Sequence, residues 1–498
     1  MSNRFQLHAL FSDGMILQRN QENPIWGTGP DGMRLNLEFQ GQTLSAVIEN
    51  GTWQAMLASS EAGGPHTLTV HADGQLLATI QDIYVGDVWL AGGQSNMEWK
   101  VSDTSHAQSD IEAAYFPLIR HFVVPRLEWE DPAAPAEPMI ATWKKATPDN
   151  VPDFSAVAYH FAQHIQASEG VPIGIVGCYW GGTSAANWVS EATLNEQPEL
   201  QVYLESFAEQ VKDFDWAAFE ITRQAYVQAT SDYETRKAAG ASNEELGSYP
   251  WPPPVSPHSF VRPNGLYETM LLKLVPYGVK GFIYYQGESD ADRATLYDKL
   301  LTGLIHNWRS LWQKETLPFL FVQLPAYCAD GDPDGKSWPL LRESQTLVNE
   351  RVPHTGLAIT LDCGERDDIH PRDKRTVGYR LALTALEHVY AREIASSGPQ
   401  YRELQIEDGR IVLHFDHTEG GLALSGDGDQ LIGFQIADEE GPYVAAEASI
   451  VGNTVVVGHP DVAKPIKVRY AWTNYTEANL VNGRGLPAGT FRTLRENR

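Results

Sequence analysis

A chain of 498 residues, 42% apolar and 20% charged, has the composition of an ordinary globular protein and enough length for roughly two to four domains around a large core. Lys+Arg 37 against Asp+Glu 64 gives a formal charge of −27, a field that repels polyanions and makes nucleic acid and anionic membrane surfaces poor partners. The same field opposes an acidic sugar only weakly, because salt screens it over about 8 Å and local arginines can reverse it.

Cys178, Cys328 and Cys363 are an odd, widely spaced set with no disulfide framework or metal-binding spacing, and they read as buried free thiols. The start, Met-Ser-Asn-Arg-Phe-Gln, has no apolar core of a leader, and no run approaches membrane-spanning length. The expectation is a cytoplasmic protein, or a periplasmic or secreted one if a signal peptide has been removed.

Residues 1–84 read as a small antiparallel β-sandwich-like domain. Leu35-x-Leu37-x-Phe39, 44–48, 53–57 and 67–70 are strand-like runs separated by Gly-Gln, Asn-Gly, Ala-Gly-Gly-Pro and Asp-Gly pairs. From Asp82 the pattern turns α/β. Val88 to Ala91 is a buried strand end, and Gly92-Gly93-Gln94 turns the chain into Ser95, where a helix can begin. A loop rich in Pro and Ala covers Pro132 to Pro138. Ser155 caps a helix with Val157, Phe161 and Ile165 on one face and Gly170 after its end. Residues 172–177 form the next strand, closed by Tyr179-Trp180-Gly181-Gly182-Thr183-Ser184.

Residues 190–262 look like an insertion. A polar-amphipathic helix over about 200–239 is followed by Tyr249-Pro250-Trp251-Pro252-Pro253-Pro254, which cannot be helical and returns the chain to the core. Such insertions shape a cleft or serve as plain spacers. The α/β pattern resumes with strands at 281–285, 318–324 and 356–361 and helices at 297–312 and 375–390. Alternating strands and helices imply a mostly parallel sheet with helices on both faces, with ligands collecting beyond the carboxyl ends of its strands. Past Ala395 the β pattern returns, giving a division into 1–84, 85–397 and 398–498.

Acyl transfer needs a nucleophile, a base, a group that orients the base, and donors for an oxyanion. Ser95 sits beside the free N–H groups of a helix start; the bland alternative is a helix cap. His370 precedes Pro371, which biases it to extended angles and projects the imidazole from its loop. Asp367, three residues earlier, can curl back to the Nδ1 proton, with Asp368 as competitor. The Ser95, Gly181 and Gly182 backbone N–H groups and the Gln286 side chain are the oxyanion donors. Glu288 either braces the Ser95 loop or contacts substrate, and Trp99 and Trp180 either stack on a pyranose or pack the core.

The run Gln94-Ser95-Asn96-Met97-Glu98-Trp99 resembles the first block of the SGNH-hydrolase superfamily, and in particular of the sialate O-acetylesterase family. Tyr179 to Thr183, Tyr285-Gln286-Gly287-Glu288-Ser289 and Asp368-Ile369-His370-Pro371 resemble the later blocks, in order. The opening Leu10 to Gln18 and the closing Val468-Arg469-Tyr470-Ala471-Trp472 and Gly485-Leu486-Pro487-Ala488 are also similar to that family. Where many relatives carry Leu-Tyr-Asn-Gly-Met, this chain has Leu266-Tyr267-Glu268-Thr269-Met270, a departure that bears on substrate more than on chemistry.

The resemblance implies an SGNH-type, flavodoxin-like three-layer α/β/α parallel-sheet catalytic domain flanked by N- and C-terminal β-sandwich domains. It implies a carbohydrate O-acetylesterase acting through Ser95 and His370, with Asp367, Asp368 or, in a Ser-His dyad, a backbone carbonyl assisting the histidine, without metal or organic cofactor. The acetylated sugar is a sialic acid or a plant hemicellulose such as acetylated xylan or xyloglucan oligosaccharides. Two other classes compete: a non-catalytic carbohydrate-binding protein on the same scaffold, and a metal-assisted hydrolase using Asp362, Asp367, Asp368 and His370. The sequence sets no oligomeric state.

Overall fold

One strand, β1 (Gln75–Gly93), belongs to both halves of the pattern change near Asp82. Its first part mixes exposed and buried positions and pairs antiparallel with Gly63–Ala72; from Val85 onward every residue is buried. That is the sequence transition from alternating to continuously apolar, as expected where a strand passes from a one-sided sheet into one covered on both faces. The structure is a computed structural model describing residues 4–130, 139–329, 332 and 335–495; the expected loop from Pro132 to Pro138 lies outside them.

β1 lies at the middle of a large mixed sheet. The other strands are β2 (Phe116–Val123), β3 (Lys144–Ala146), β4 (Ile173–Tyr179), β5 (Gly281–Tyr285), β6 (Phe319–Val322) and β7 (Thr355–Ala358), in the order β3-β2-β4-β1-β5-β6-β7. Only the β2–β3 pair on this path is antiparallel. From β1 the chain steps over one position to β2 and β3, returns to insert β4 between β2 and β1, and then builds outward on the other side through β5 to β7. The reversal point, where α/β sheets open a crevice, is therefore at β1.

The helices are α1 (Ala156–Glu169), α2 (Tyr297–Leu311), α3 (Ser337–Arg351) and α4 (Lys374–His388). Leu90 and Phe282 are register partners and face one way, so Trp89 faces the other. Trp89 meets Phe161 of α1 edge-on at 5.1 Å, and Phe282 meets Trp308 of α2 at 5.4 Å, which puts α1 and α2 on opposite faces. Ser155 caps α1 as expected: its Oγ accepts from the Ala158 N–H at 3.2 Å and donates to the Met97 carbonyl at 2.6 Å, fixing the helix to the Ser95 turn.

Strands Arg34–Phe39 and Thr52–Leu57 alternate strictly between exposed and buried residues, and their inner side chains join the same core as the central sheet. Past residue 400 a four-stranded sheet (with Arg410–Asp416 and Thr454–Gly458 at its centre) and a second containing Phe434–Ala437 and Lys467–Tyr470 enclose a separate apolar cluster around Leu413, Val455, Ile436 and Val468. The helix expected over 200–239 is two helices, Gln201–Gln210 and Trp216–Ala238. The second starts where Asp215 accepts from the Ala217 N–H at 2.8 Å. Among the described residues no helix is long and apolar enough to cross a membrane.

Candidate active site

The carboxyl ends of β1, β4 and β5 are adjacent, and each carries one of the glycine-containing turns. Gly93 has φ +133, and a Cβ there would lie 2.1 Å from the Tyr285 carbonyl oxygen. Only glycine allows this approach, and the next residue locks it, the Gln94 N–H donating to the same carbonyl at 3.1 Å. Ser95 then opens a short helix, Ser95–Glu98, with its side chain partly exposed at the rim of the sheet.

His370 comes from the loop before α4. Its Nε2 lies 2.8 Å from Ser95 Oγ, although the two residues are 275 positions apart. Trp99 lies flat against the imidazole, with centroids 4.8 Å apart and planes 16° from parallel. Burial, and secondarily the Lys374 cation, lower the His370 pKa to about 4, against a smaller upward pull from Asp368. At neutral pH the ring is therefore uncharged and able to accept the serine proton.

The structure does not bring Asp367 to His370. Its side chain is 87% exposed and its nearest cation is Arg366 at 3.9 Å. The carboxylate beside the histidine is Asp368, whose Oδ1 accepts from the His370 backbone N–H at 2.8 Å and stands 4.0 Å from Nδ1. That separation is too long for a hydrogen bond to the ring. The turn explains the swap: an Asp two residues before the histidine folds back onto the main chain, and its neighbour then points outward. Asp362 is likewise engaged elsewhere, with both oxygens on the Arg380 guanidinium at 2.5 and 2.7 Å. Among the described residues no three His, Cys, Asp or Glu side chains converge as metal ligands.

Two of the four expected oxyanion donors are already occupied. The Gly181 N–H donates to Glu98 Oε2 at 2.8 Å, and Glu98 Oε1 is paired with Arg126. Gln286 is fully buried. Its amide donates to Gln94 Oε1 at 3.1 Å, the Thr183 carbonyl at 3.1 Å and Asp290 Oδ2 at 2.6 Å, while its oxygen accepts from the Tyr297 hydroxyl at 2.7 Å. Asp290 also accepts from the Ser184 hydroxyl and the Ala185 N–H, so Gln286 and Asp290 tie the three turns together. That leaves the N–H groups of Ser95 and Gly182. A helix leaves its first N–H groups without intrahelical partners, and Gly182 has φ +74.

Beneath the pair lies a hydrogen-bonded network in which the sequence points to Glu288 but not to Asn96 or Lys374. Asn96 donates to the Ile369 carbonyl at 2.9 Å and to Glu288 Oε1, and its side-chain oxygen accepts from Lys374 Nζ at 2.5 Å. Burial raises the Glu288 pKa and lowers that of Lys374 to about 8. Glu288 thus braces the Ser95 turn through Asn96. The available signal was a lysine four residues after the histidine, at the start of a helix that is otherwise packed inward. Trp180 is sandwiched by Phe260, parallel at 4.7 Å, and the Arg126 guanidinium at 5.1 Å. An open cavity of about 1140 Å³ lined by His8, Trp26, Trp53 and Lys273 contains none of these groups.

Comparison with known proteins gives three concordant findings. The sequence model of the family described as carbohydrate esterase, sialic acid-specific acetylesterase matches residues 85–248 and 256–387. Sialate O-acetylesterase of Mus musculus is 27% identical over 513 residues, covering 95% of this chain and 90% of its own length; that of Homo sapiens is 25% identical over 450 residues, covering 83% and 77%. The crystal structure of a carbohydrate acetylesterase from Xanthomonas citri is 34% identical, superimposes with a TM-score of 0.80, and covers 98% of this chain and 99% of that one.

Proposed function

This chain belongs to the carbohydrate-esterase family of sialic acid-specific acetylesterases, and from that membership we propose that Ser95 and His370 carry its hydrolysis of sugar O-acetyl esters. The observation that bears the assignment is the 2.8 Å contact between Ser95 Oγ and His370 Nε2 at the reversal point of the sheet. His370 takes the proton as Ser95 attacks the acetyl carbonyl. The oxyanion is held by the Ser95 and Gly182 N–H groups, because the Gly181 N–H and the Gln286 amide already have acceptors. The imidazolium is stabilised by the Trp99 ring face and by Asp368 nearby. It then protonates the departing sugar oxygen. Water, activated by the same ring, releases acetate from acetyl-Ser95.

In this reading residues 85–397 form an SGNH-type three-layer catalytic domain with the insertion 190–262, and 1–84 and 398–498 are flanking β domains. The chemistry draws on no metal or organic cofactor. An acetylated sialic acid is the first candidate substrate. A neutral acetylated pyranoside is the second, favoured by the pairing of nearby cations: Arg126 with Glu98, and Arg262 with Glu268 at 2.9 Å. That second pair uses Glu268, the departure noted in the sequence. Release of acetate from para-nitrophenyl acetate, with an acetyl adduct on Ser95 in the wild type and neither in Ser95→Ala, tests the assignment. Turnover that survives Ser95→Ala would reverse it.

A further inference from the structure

The Pro-rich run of the insertion ends at the active-site rim. A Cβ added to Gly182 would lie 2.1 Å from Cη2 and 2.5 Å from Cζ2 of Trp251, so the six-membered ring of Trp251 lies across the Gly182 backbone. The preceding glycine lies against the nucleophile: a Cβ on Gly181 would be 3.2 Å from Ser95 Cβ. Local contacts flank the run on both sides. Tyr249 meets Tyr233 edge-on at 5.1 Å, and beyond the prolines the Ser256 N–H donates to Ser259 Oγ at 2.6 Å. Four prolines in the six residues 249–254 hold the indole in place with little backbone freedom to lose on binding.

Three tryptophans thus surround the nucleophile, and they differ in what covers them. Trp99 is stacked on His370, and Trp180 is packed between Phe260 and Arg126. Trp251 remains 53% exposed. A rigid aromatic surface left open beside a reacting centre suits the apolar C–H face of a sugar ring, which gains contact area there without needing a charge.

We infer that Trp251, seated on Gly182, is a subsite that stacks against a pyranose ring of the saccharide whose ester is presented to Ser95. This rests on the esterase reading above and adds where the sugar lies. It also gives the insertion, which supplies this ring, a role, and it ties Gly182 to both the oxyanion and the sugar.

The test compares kcat/KM for acetylated trisaccharides, one sialylated and one of xylose, with kcat/KM for para-nitrophenyl acetate in the wild type, Trp251→Ala and Trp251→Phe. We expect the wild type to prefer an acetylated saccharide. Trp251→Ala should lower the saccharide-to-aryl ratio about tenfold, chiefly through KM, and Trp251→Phe should keep it within about threefold. A ratio unchanged in Trp251→Ala overturns the subsite. So does a wild type that cleaves the aryl ester but prefers neither saccharide. If Trp251→Ala fails to fold, the phenylalanine variant decides, since loss of its ratio to the level of the bare aryl ester contradicts a stacking role. A wild type inactive on every ester contradicts the esterase reading itself.

Discussion

Asn96 donates to the Ile369 carbonyl at 2.9 Å, so the residue after the nucleophile holds the residue before the histidine. The same side chain also engages Glu288 and Lys374; Asn96 and Lys374 are fully buried and Glu288 is partly so. Replacing it with alanine strands a carboxyl and an ammonium group in a dry site and releases the loop that aims His370. For Asn96→Ala we expect kcat on an aryl acetate to fall on the order of 10²-fold with a smaller change in KM, because a misplacement near 1 Å is enough for a loss of that size. Steady-state kinetics beside a thermal melt check this. A normal kcat with only a lower melting temperature would make the network purely structural.

The acid limb of the pH profile reports His370. Its pKa of about 4 lies below the ordinary 6.5, so the ring stays neutral as pH falls through 6 and 5 and gains its proton only near 4. We expect kcat/KM to hold level from neutrality to about pH 5 and then to fall. Lys374 contributes to the lowering, so Lys374→Met should move the limb upward, toward 6.5, even where kcat itself is reduced. A wild-type limb already at the ordinary imidazole value would contradict the burial seen at this site.

The two neighbouring aspartates separate cleanly. Asp367 is exposed and has no contact with the imidazole, so Asp367→Asn should leave kcat/KM within about twofold of wild type. Asp368 caps the His370 N–H and stands 4.0 Å from Nδ1, where its charge favours the imidazolium. Asp368→Asn should cost roughly tenfold in kcat and shift the acid limb downward, since Asp368 is the group that raises the His370 pKa. Parallel profiles of the two variants check the assignment; the reverse ranking would restore the Asp-x-x-His pairing.

How much of this was legible follows from where polar side chains sit. Strands β1, β4 and β5 and their glycine turns could be read because their buried positions are apolar. Strand β2 and helix α3 could not, because their inward positions are polar. In β2, Arg120 and His121 are buried, the guanidinium donating to the carbonyls of Gly14 at 2.8 Å and Asp82 at 2.6 Å. In α3, Arg342, Glu343, Ser344 and Gln345 are all buried, which erases the apolar period. Arg342 donates to the carbonyls of Ala471, Thr473 and Asn474, clamping the C-terminal β region, and Gln345 reaches the Gln286 carbonyl at 3.3 Å. At the site, Ser95 and His370, whose side chains meet at 2.8 Å, could be paired from the sequence because their motifs carry the chemistry in the residue type. The Asp367 reading went wrong because spacing does not say which carboxylate a turn points inward.

Gly93 gives a stability prediction that is independent of the chemistry. At φ +133 an L side chain is strained, and a methyl group would meet the Tyr285 oxygen at 2.1 Å, against backbone that cannot swing aside because the Gln94 N–H is bonded to that same oxygen. Gly93→Ala must therefore either separate β1 from β5 at their carboxyl ends or twist Gln94 out of its contacts with Gln286 and Ser289. Either response costs about 3 kcal/mol or more, beyond the usual range for one substitution. It also moves Ser95, so activity should fall by more than the folded fraction does. Gly170, also at positive φ (+66) but with nothing within 4 Å of an added Cβ, is the control. Gly170→Ala should lose only about 1 kcal/mol, from backbone strain alone, and should keep full activity per folded molecule. Denaturant melts of both variants, with activity measured on the same samples, decide the matter. Equal losses in the two would mean that the backbone angle alone sets the cost and that the contact with Tyr285 does not constrain the nucleophile.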